Sequence, residues 1–495
     1  MGSAKKKSEE LSYMQTALPT GGRSKRSVRI QWGGLDRRYT TDTGELAREQ
    51  NISTAEIPYL VPSQKRAAYK SGYLHPIDLF GFDDFLLCIY RTEQNVKIDY
   101  IKADGTVYSG FIKESGVSAD DDYPRCVVQF NVYDSSQDVL GGEYDKKLLI
   151  FPDKLSMDFV INGDNTDERG VFTLSRITNM PDLKYACVHL SRLFGVDDGR
   201  IYASGFNDYS NWNLDTADES LANNAWCSPA QSNTRANSEF TGITTFANHV
   251  VAFKKSYMHE LYNNKNPFRI QDIFAEGALS NKSICDTDGR LIFVSKDNVK
   301  IYTGSNPREI GNNLALDGLE TAVGGSDGRF YYLYCKSLDN EVHIFVYDTL
   351  NSMWAEQECH SEVLSFAHTS GGMYMLCADG RIYKMDTGLY SHAWSFETDL
   401  CTGHSIDIKH IDKVQIMCDM ASDSVLRVYA LYGDEVFDER RSQLLCERKG
   451  AGRRCVRIRP RMTAEYGYRL RFEGFGYVKI YQMEIETSEG GELFV

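Results

Sequence analysis

The chain has 495 residues, 42% of them apolar and 12% aromatic, with a formal net charge of −14. That length exceeds a single compact core and predicts two or three domains, and the apolar content excludes a mostly disordered chain. Eleven prolines and 40 glycines exclude collagen-like and linker-dominated designs, while 30 Tyr and 24 Phe favour strands.

The charge is unevenly spread. Residues 1–30 sum to +5 and residues 440–471 to +9, which leaves about −28 for the remainder. An acidic body repels nucleic acid in bulk and stays soluble. Twelve cysteines form no CxxC pair and sit mostly in apolar runs such as FLLCIY and YMLCAD. Reduced, buried thiols made in a cytoplasm-like compartment follow, rather than a disulfide framework. No apolar run reaches the ~18–20 residues of a membrane span, and MGSAKKKSEEL lacks the apolar core of a signal peptide. A soluble protein with no membrane span is expected.

In chain order, residues 1–27 are polar and basic, and 28–75 show little periodicity. Residues 1–75 therefore predict a basic extended arm, ordered by neighbouring subunits or a connector, with Arg23, Lys25 and Arg26 among its contacts. From Leu79 short strand-like runs begin and recur roughly every 40–50 residues, the length of a four-stranded propeller blade. DGRIY occurs at Asp198–Tyr202 and Asp379–Tyr383, with looser copies from Asp288 and Asp327. Asp-Gly followed by an apolar pair is a turn entering a strand. Gly199, Gly289, Gly328 and Gly380 are therefore expected at equivalent hairpin positions of different blades, with φ above zero. The 90-residue gap between Asp198 and Asp288 leaves room for two blades, ANHVVAFKK lying in the middle one. An all-β fold follows, with a β-propeller over 76–395; six blades are favoured and seven remain open. Two stacked β-sandwiches are the alternative.

After residue 395 the strands alternate strictly, which predicts a β-sandwich over 396–495. In CVRIRP, Val456 and Ile458 oppose Arg457 and Arg459; in YRLRFEG, Leu470 and Phe472 oppose Arg469 and Arg471. The four arginines are expected to share one outward cationic face that docks on acidic protein surface.

No catalytic constellation emerges, so neither an enzyme nor a cofactor is expected. Cys401, His404, Asp407, His410 and Asp412 in CTGHSIDIKHID would scatter over both faces of a strand and make a poor metal site. The acidic stretches NGDNTDERG and SADDDYP lack calcium-loop spacing.

Three stretches nonetheless carry a resemblance. RIQWGGLDRRYTTDTGELAREQNIST with IPYLVPSQKR, HLSRLFGVDDGRIYASGFNDYSNW, and VHIFVYDTLNSMWAEQE with the following SFAHTSGGMYMLCADGRIYKMD are similar in pattern to one family. These are the β-propeller tail nozzle proteins of short-tailed phages, also described as packaged-DNA stabilisation or tail tubular proteins. The resemblance implies a virion structural protein in the tail that forms a homo-oligomeric ring, commonly of six copies. Connector, adaptor and other tail proteins would be its partners, and double-stranded DNA would pass without sequence-specific binding. The ring would continue the channel, retain packaged genome and release it at infection. A tail-tip or hub protein of a long-tailed phage is the nearby alternative. A glycan-acting propeller enzyme is a more distant one, although no S-x-D-x-G-x-T-W box occurs, and a cellular interaction propeller would need the missing G-H…W-D signature.

Overall fold

The computed structural model describes residues 24–38, 44–132, 145–159, 172–214, 224–228, 239–263, 268–274, 277–316, 318–400, 409–432, 441–460, 462–464 and 467–489. Regular structure among them is strand, apart from single 3-10 turns such as Ala119–Asp121 and Asn281–Ser283. No described helix is long and apolar enough to cross a membrane.

Seven four-stranded antiparallel sheets lie at 75–113, 126–176, 185–227, 240–274, 285–309, 319–357 and 363–384. In the first six the strands pair in chain order. The seventh supplies three strands of its own and takes its fourth, Ala67–Ser71, from the N-terminal segment, in register from Arg381↔Ser71 to Lys384↔Ala67. First strands of neighbouring sheets pack side by side, as Cys126–Val132 does on Tyr185–His189 and Leu319–Ser326 on Val363–Thr369, and the circle closes where Val363–Thr369 meets His75–Phe82. This is a β-propeller; the described residues form seven four-stranded sheets, where the sequence favoured six blades and left seven open. Stacked sandwiches are excluded for this part of the chain, because each sheet buries both faces against neighbours. That burial explains its composition: the second strands, such as Leu86–Ile89, Val250–Phe253 and Leu291–Val294, are apolar without alternation and fully buried. The outer strand Val107–Lys113 exposes alternate residues from Val107 to Phe111.

Two five-stranded sheets form the sandwich. One runs Ser24–Ile30, Val478–Glu489, Lys409–Met420, Gly452–Ile458, with Met462–Ala464 also on Lys409–Met420. The other runs Leu46–Gln50, Ala393–Thr398, Tyr468–Phe475, Val425–Tyr432, Arg441–Lys449. Between them Ile30, Trp32 and Leu46 share a core with Phe396, Val414, Ile416, Leu470 and Phe472.

The expected arm therefore gives way from residue 24 onward. Its residues add a strand to each sandwich sheet and one to the propeller, each pairing with a strand more than 300 positions further along the chain. That is why no local periodicity marked them. Arg23 lies outside the described residues; Lys25 and Arg26 sit in the strand paired with Val478–Glu489, opposite Ser488 and Thr487.

Eleven cysteines are described, all free, seven of them buried. Cys401 is outside the described residues.

Candidate functional site

The first strands of all seven sheets surround an axial channel of about 610 Å³. Their backbones approach closely: a Cβ at Gly81 would stand 2.1 Å from the His368 carbonyl, so only glycine lets the first and seventh sheets meet there.

One end of the channel is bridged. Asp78, 1% exposed, accepts the Arg125 backbone N–H at 2.6 Å and the Ser365 hydroxyl at 3.1 Å. Lys282, from the turn before the fifth sheet, pairs with the same carboxylate. Its ammonium also donates to Leu364 O at 3.0 Å and Ile77 O at 3.3 Å. Lys282 lines both the channel and an outer cavity of about 350 Å³, so it stands between the two. Arg125 is itself buried, held by Asp121 O, Tyr123 O and Asp153. Burial, then the hydrogen bond to Asp153, pushes the Tyr123 phenol up to about 12. The cluster joins the first, second, fifth and seventh sheets and offers no free nucleophile or base. Its chemistry is that of a bolt.

The turns obey a parity rule. First strands run from the rim that holds this bolt to the opposite one, so second-to-third turns and connections between sheets share the bolted rim. Five of the seven second-to-third turns expose a carboxylate there: Glu93, Asp198, Asp297, Asp339 and Asp379. Asp198 pairs with Lys184 and Asp379 lies 3.9 Å from Arg381. Exposed Glu114, Asp120 and Glu362 add to the same rim from the inter-sheet connections, against Arg200, Lys255 and Lys296.

The repeated DGR sentence proves to be two turns. Gly199 and Gly380 lie between second and third strands, whereas Gly289 and Gly328 lie between first and second strands, on the opposite rim. All four are hairpin turns in different sheets, but they are not equivalent. Gly289, Gly328 and Gly380 have φ of 65°, 97° and 78°; Gly199 is not among the positive-φ glycines. Its turn is held instead by Asp197, which accepts the N–H groups of Gly199 and Arg200. A common device survives in three copies: the aspartate's second oxygen accepts a downstream tyrosine hydroxyl, Tyr202 to Asp197 at 2.9 Å, Tyr332 to Asp327 at 3.1 Å and Tyr383 to Asp379 at 2.7 Å.

The four sandwich arginines divide between two sheets. Arg457 and Arg459 are exposed on and just beyond Gly452–Ile458, with Val456 and Ile458 buried as alternation requires. Arg469 and Arg471 belong to the opposed sheet, so the single four-arginine face is corrected. Arg469 is 5% exposed, its guanidinium donating to Thr398 O at 3.4 Å, and Arg471 pairs with Glu473 at 2.6 Å. The reason is that Thr398 and Asp399, at the end of the neighbouring strand, cover Arg469, whereas Arg471 stays half-exposed at the cleft beside the propeller. Burial beside Arg469 pushes the Asp399 carboxyl up to about 6, the arginine charge opposing that shift.

Between sandwich and propeller a polar cleft of about 440 Å³ is lined by Arg37, Arg48, Glu49, Glu356, Glu397 and Arg471. Arg37 meets His343 Nε2 at 3.3 Å, and His343 Nδ1 meets Glu356 Oε1 at 2.7 Å. Glu49 Oε1 accepts the Glu356 N–H at 2.7 Å. Burial holds the Glu49 carboxyl well above its ordinary range, that N–H opposing the shift and the nearby Glu356 charge adding to it. No sequence signal marked this cleft, since its residues come from strands about 300 positions apart.

No group of three His, Cys, Asp or Glu side chains could hold a metal among the described residues. Cys401, His404 and Asp407 lie outside them, as does NGDNTDERG; His410 and Asp412 are on the sandwich strand Lys409–Met420. SADDDYP forms the capped turn Ala119–Asp121, in which Asp121 pairs with Lys113 at 2.8 Å.

No family model and no curated protein matches the sequence. Among solved structures, the WD40 domain of Toxoplasma gondii coronin is similar at 9% identity and a TM-score of 0.38, over 71% of this chain and 87% of that one. BamB of Moraxella catarrhalis is similar at 11% and 0.32, over 72% and 100%, and a Trypanosoma rangeli sialidase at 7% and 0.32, over 93% and 95%. At these identities and scores the likenesses carry no functional argument, which rests on this chain's own residues.

Proposed function

We propose that the chain is a non-enzymatic structural protein of a tailed-phage particle, one subunit of a ring in the tail that continues the DNA channel. The observation that carries this reading concerns Asn51, in the GELAREQN stretch on which the family resemblance rests. Its side chain donates to Ala393 O of the sandwich at 2.9 Å and accepts the Glu358 N–H of the propeller at 3.0 Å. Its backbone N–H donates to Glu356 O at 2.9 Å. Arg66, in the basic cluster of the same stretch, donates to Glu358 O and the Gln357 side chain, both at 2.8 Å. Arg192 of the second stretch is 1% exposed and donates to Ser204 O at 2.6 Å. The residues that carry the resemblance thus brace joints of the fold rather than line a reaction site. A two-lobed block laced through its N-terminal segment suits a load-bearing subunit.

The subunit's own channel is too small for a duplex and is bridged by Lys282. DNA would instead travel along an axis shared by several copies, where net negative charge keeps phosphate from adhering. Electron microscopy of the purified full chain tests this. Rings with a pore wide enough for duplex DNA are expected. Monomers that depolymerise a surface glycan would overturn the reading in favour of a propeller enzyme.

A further inference from the structure

We propose that the open arginine-bearing edge of the sandwich docks onto the carboxylate-bearing rim of the propeller in a second copy of this chain, an inference that rests on the ring reading above. Arg441–Lys449 and Gly452–Ile458 are the last strands of their respective sheets. They are joined through Gly450 and Gly452, with φ of 83° and 114°, so the two open edges stand side by side. Among the described residues nothing pairs with either. At the other end of the second sheet, Leu46–Gln50 is already taken: it packs on Met353–Gln357 of the propeller, where Glu49 accepts the Glu356 N–H. Arg441–Lys449 is therefore at the end of its sheet remote from the propeller.

Charge selects the occupant. Arg457 and Arg459 point outward with no ion-pair partner among the described residues, and Arg453 beside them lies over the Tyr481 ring, 5.1 Å from its centroid. On the propeller, Glu93, Asp297 and Asp339 are exposed on one rim, likewise without ion-pair partners among the described residues. Neither Arg457 nor Arg459 pairs with any of these carboxylates within its own chain among the described residues, which leaves the contact to be made between copies. Guanidinium forks match carboxylates bidentately, and such pairs fix orientation and register. The contact is heterologous: each copy presents its edge to the next copy's rim, the arrangement that closes into rings or propagates as filaments.

Sedimentation velocity of the full chain, over concentration and salt, tests the contact. Wild type is expected to assemble at low salt and dissociate as salt rises. R457E/R459E should melt like wild type yet need at least a tenfold higher concentration to assemble, and D297K/D339K should be impaired likewise. All four substitutions in one chain should restore assembly, because the contact is then reversed in sign on both sides. Assembly of R457E/R459E at wild-type concentrations overturns this contact, and rings seen in that sample leave the ring function standing. Wild-type protein that stays monomeric at every concentration overturns both. Duplex DNA binding abolished by R457E/R459E, with D297K/D339K assembling normally, replaces the protein partner with nucleic acid.

Discussion

Asn51 and Ala393 are joined by a 2.9 Å hydrogen bond from the asparagine amide, although 342 residues separate them. The same side chain accepts from Glu358, and Asn51 sits at φ 60°, a left-handed conformation that asparagine tolerates better than most residues. Asn51→Ala would deprive the part-buried Glu358 N–H and Ala393 carbonyl of this partner while retaining the strained backbone. A loss of about 2–4 kcal/mol is expected. Urea unfolding measures it, and limited proteolysis should show the propeller and sandwich separating more readily than in wild type. An unchanged midpoint would remove Asn51 as the brace between them.

Lys282 and Asp78 form the corresponding brace inside the propeller. Lys282→Met leaves a nearly buried carboxylate without its counter-ion, a change that costs about 3–5 kcal/mol when the charge is fully enclosed. Asp78 keeps the Arg125 N–H and the Ser365 hydroxyl, so a loss near the lower figure is expected. The double substitution Lys282→Met with Asp78→Asn should recover part of it. Thermal unfolding of the two variants beside wild type decides the matter: equal losses in the single and double variants would show that the pair is not the source.

The DGR glycines separate by conformation rather than by sequence. At Gly380 an added Cβ would lie 2.2 Å from the Tyr73 carbonyl and φ is 78°; at Gly199 nothing lies within 4 Å and φ is not positive. Gly380→Ala should therefore cost at least ~2 kcal/mol, from left-handed strain together with displacement of the closing segment. Gly199→Ala should be neutral or stabilise by up to ~1 kcal/mol through a less free unfolded chain. Identical shifts in melting temperature would contradict the two-turn distinction.

That contrast shows what the sequence could and could not disclose. Turn chemistry and strand composition are local, so the propeller repeat, the sandwich after residue 395 and the inward Val456 and Ile458 were legible. Partnership is not local. Ala67–Ser71, Leu46–Gln50 and Ser24–Ile30 each complete a sheet begun far along the chain, and alone they read as an arm. The period-two rule separated Arg469 from Leu470, but it could not tell that Thr398 and Asp399 cover Arg469 on the outer side. The Asp78–Lys282 bolt and the Glu49 cleft carry no motif, because each is assembled from residues of different sheets.

Glu49 gives the fold a pH dependence whose sign can be worked out. Burial raises its folded-state pKa well above the ordinary carboxyl value, so the folded chain holds a proton that the unfolded chain releases as pH climbs past that value. The folded state then binds more protons, and stability falls with rising pH by up to ~1.4 kcal/mol per unit until the folded group also ionises. Asp399, pushed up to about 6, adds a loss of the same sign over a lower window. Glu49→Gln keeps an acceptor for the Glu356 N–H but cannot ionise. Its urea midpoint should match wild type near pH 4.5 and exceed it increasingly toward pH 7. Wild-type and variant curves that stay parallel over that range would mean Glu49 is ionised in the folded protein, stabilised by the arginines of the cleft.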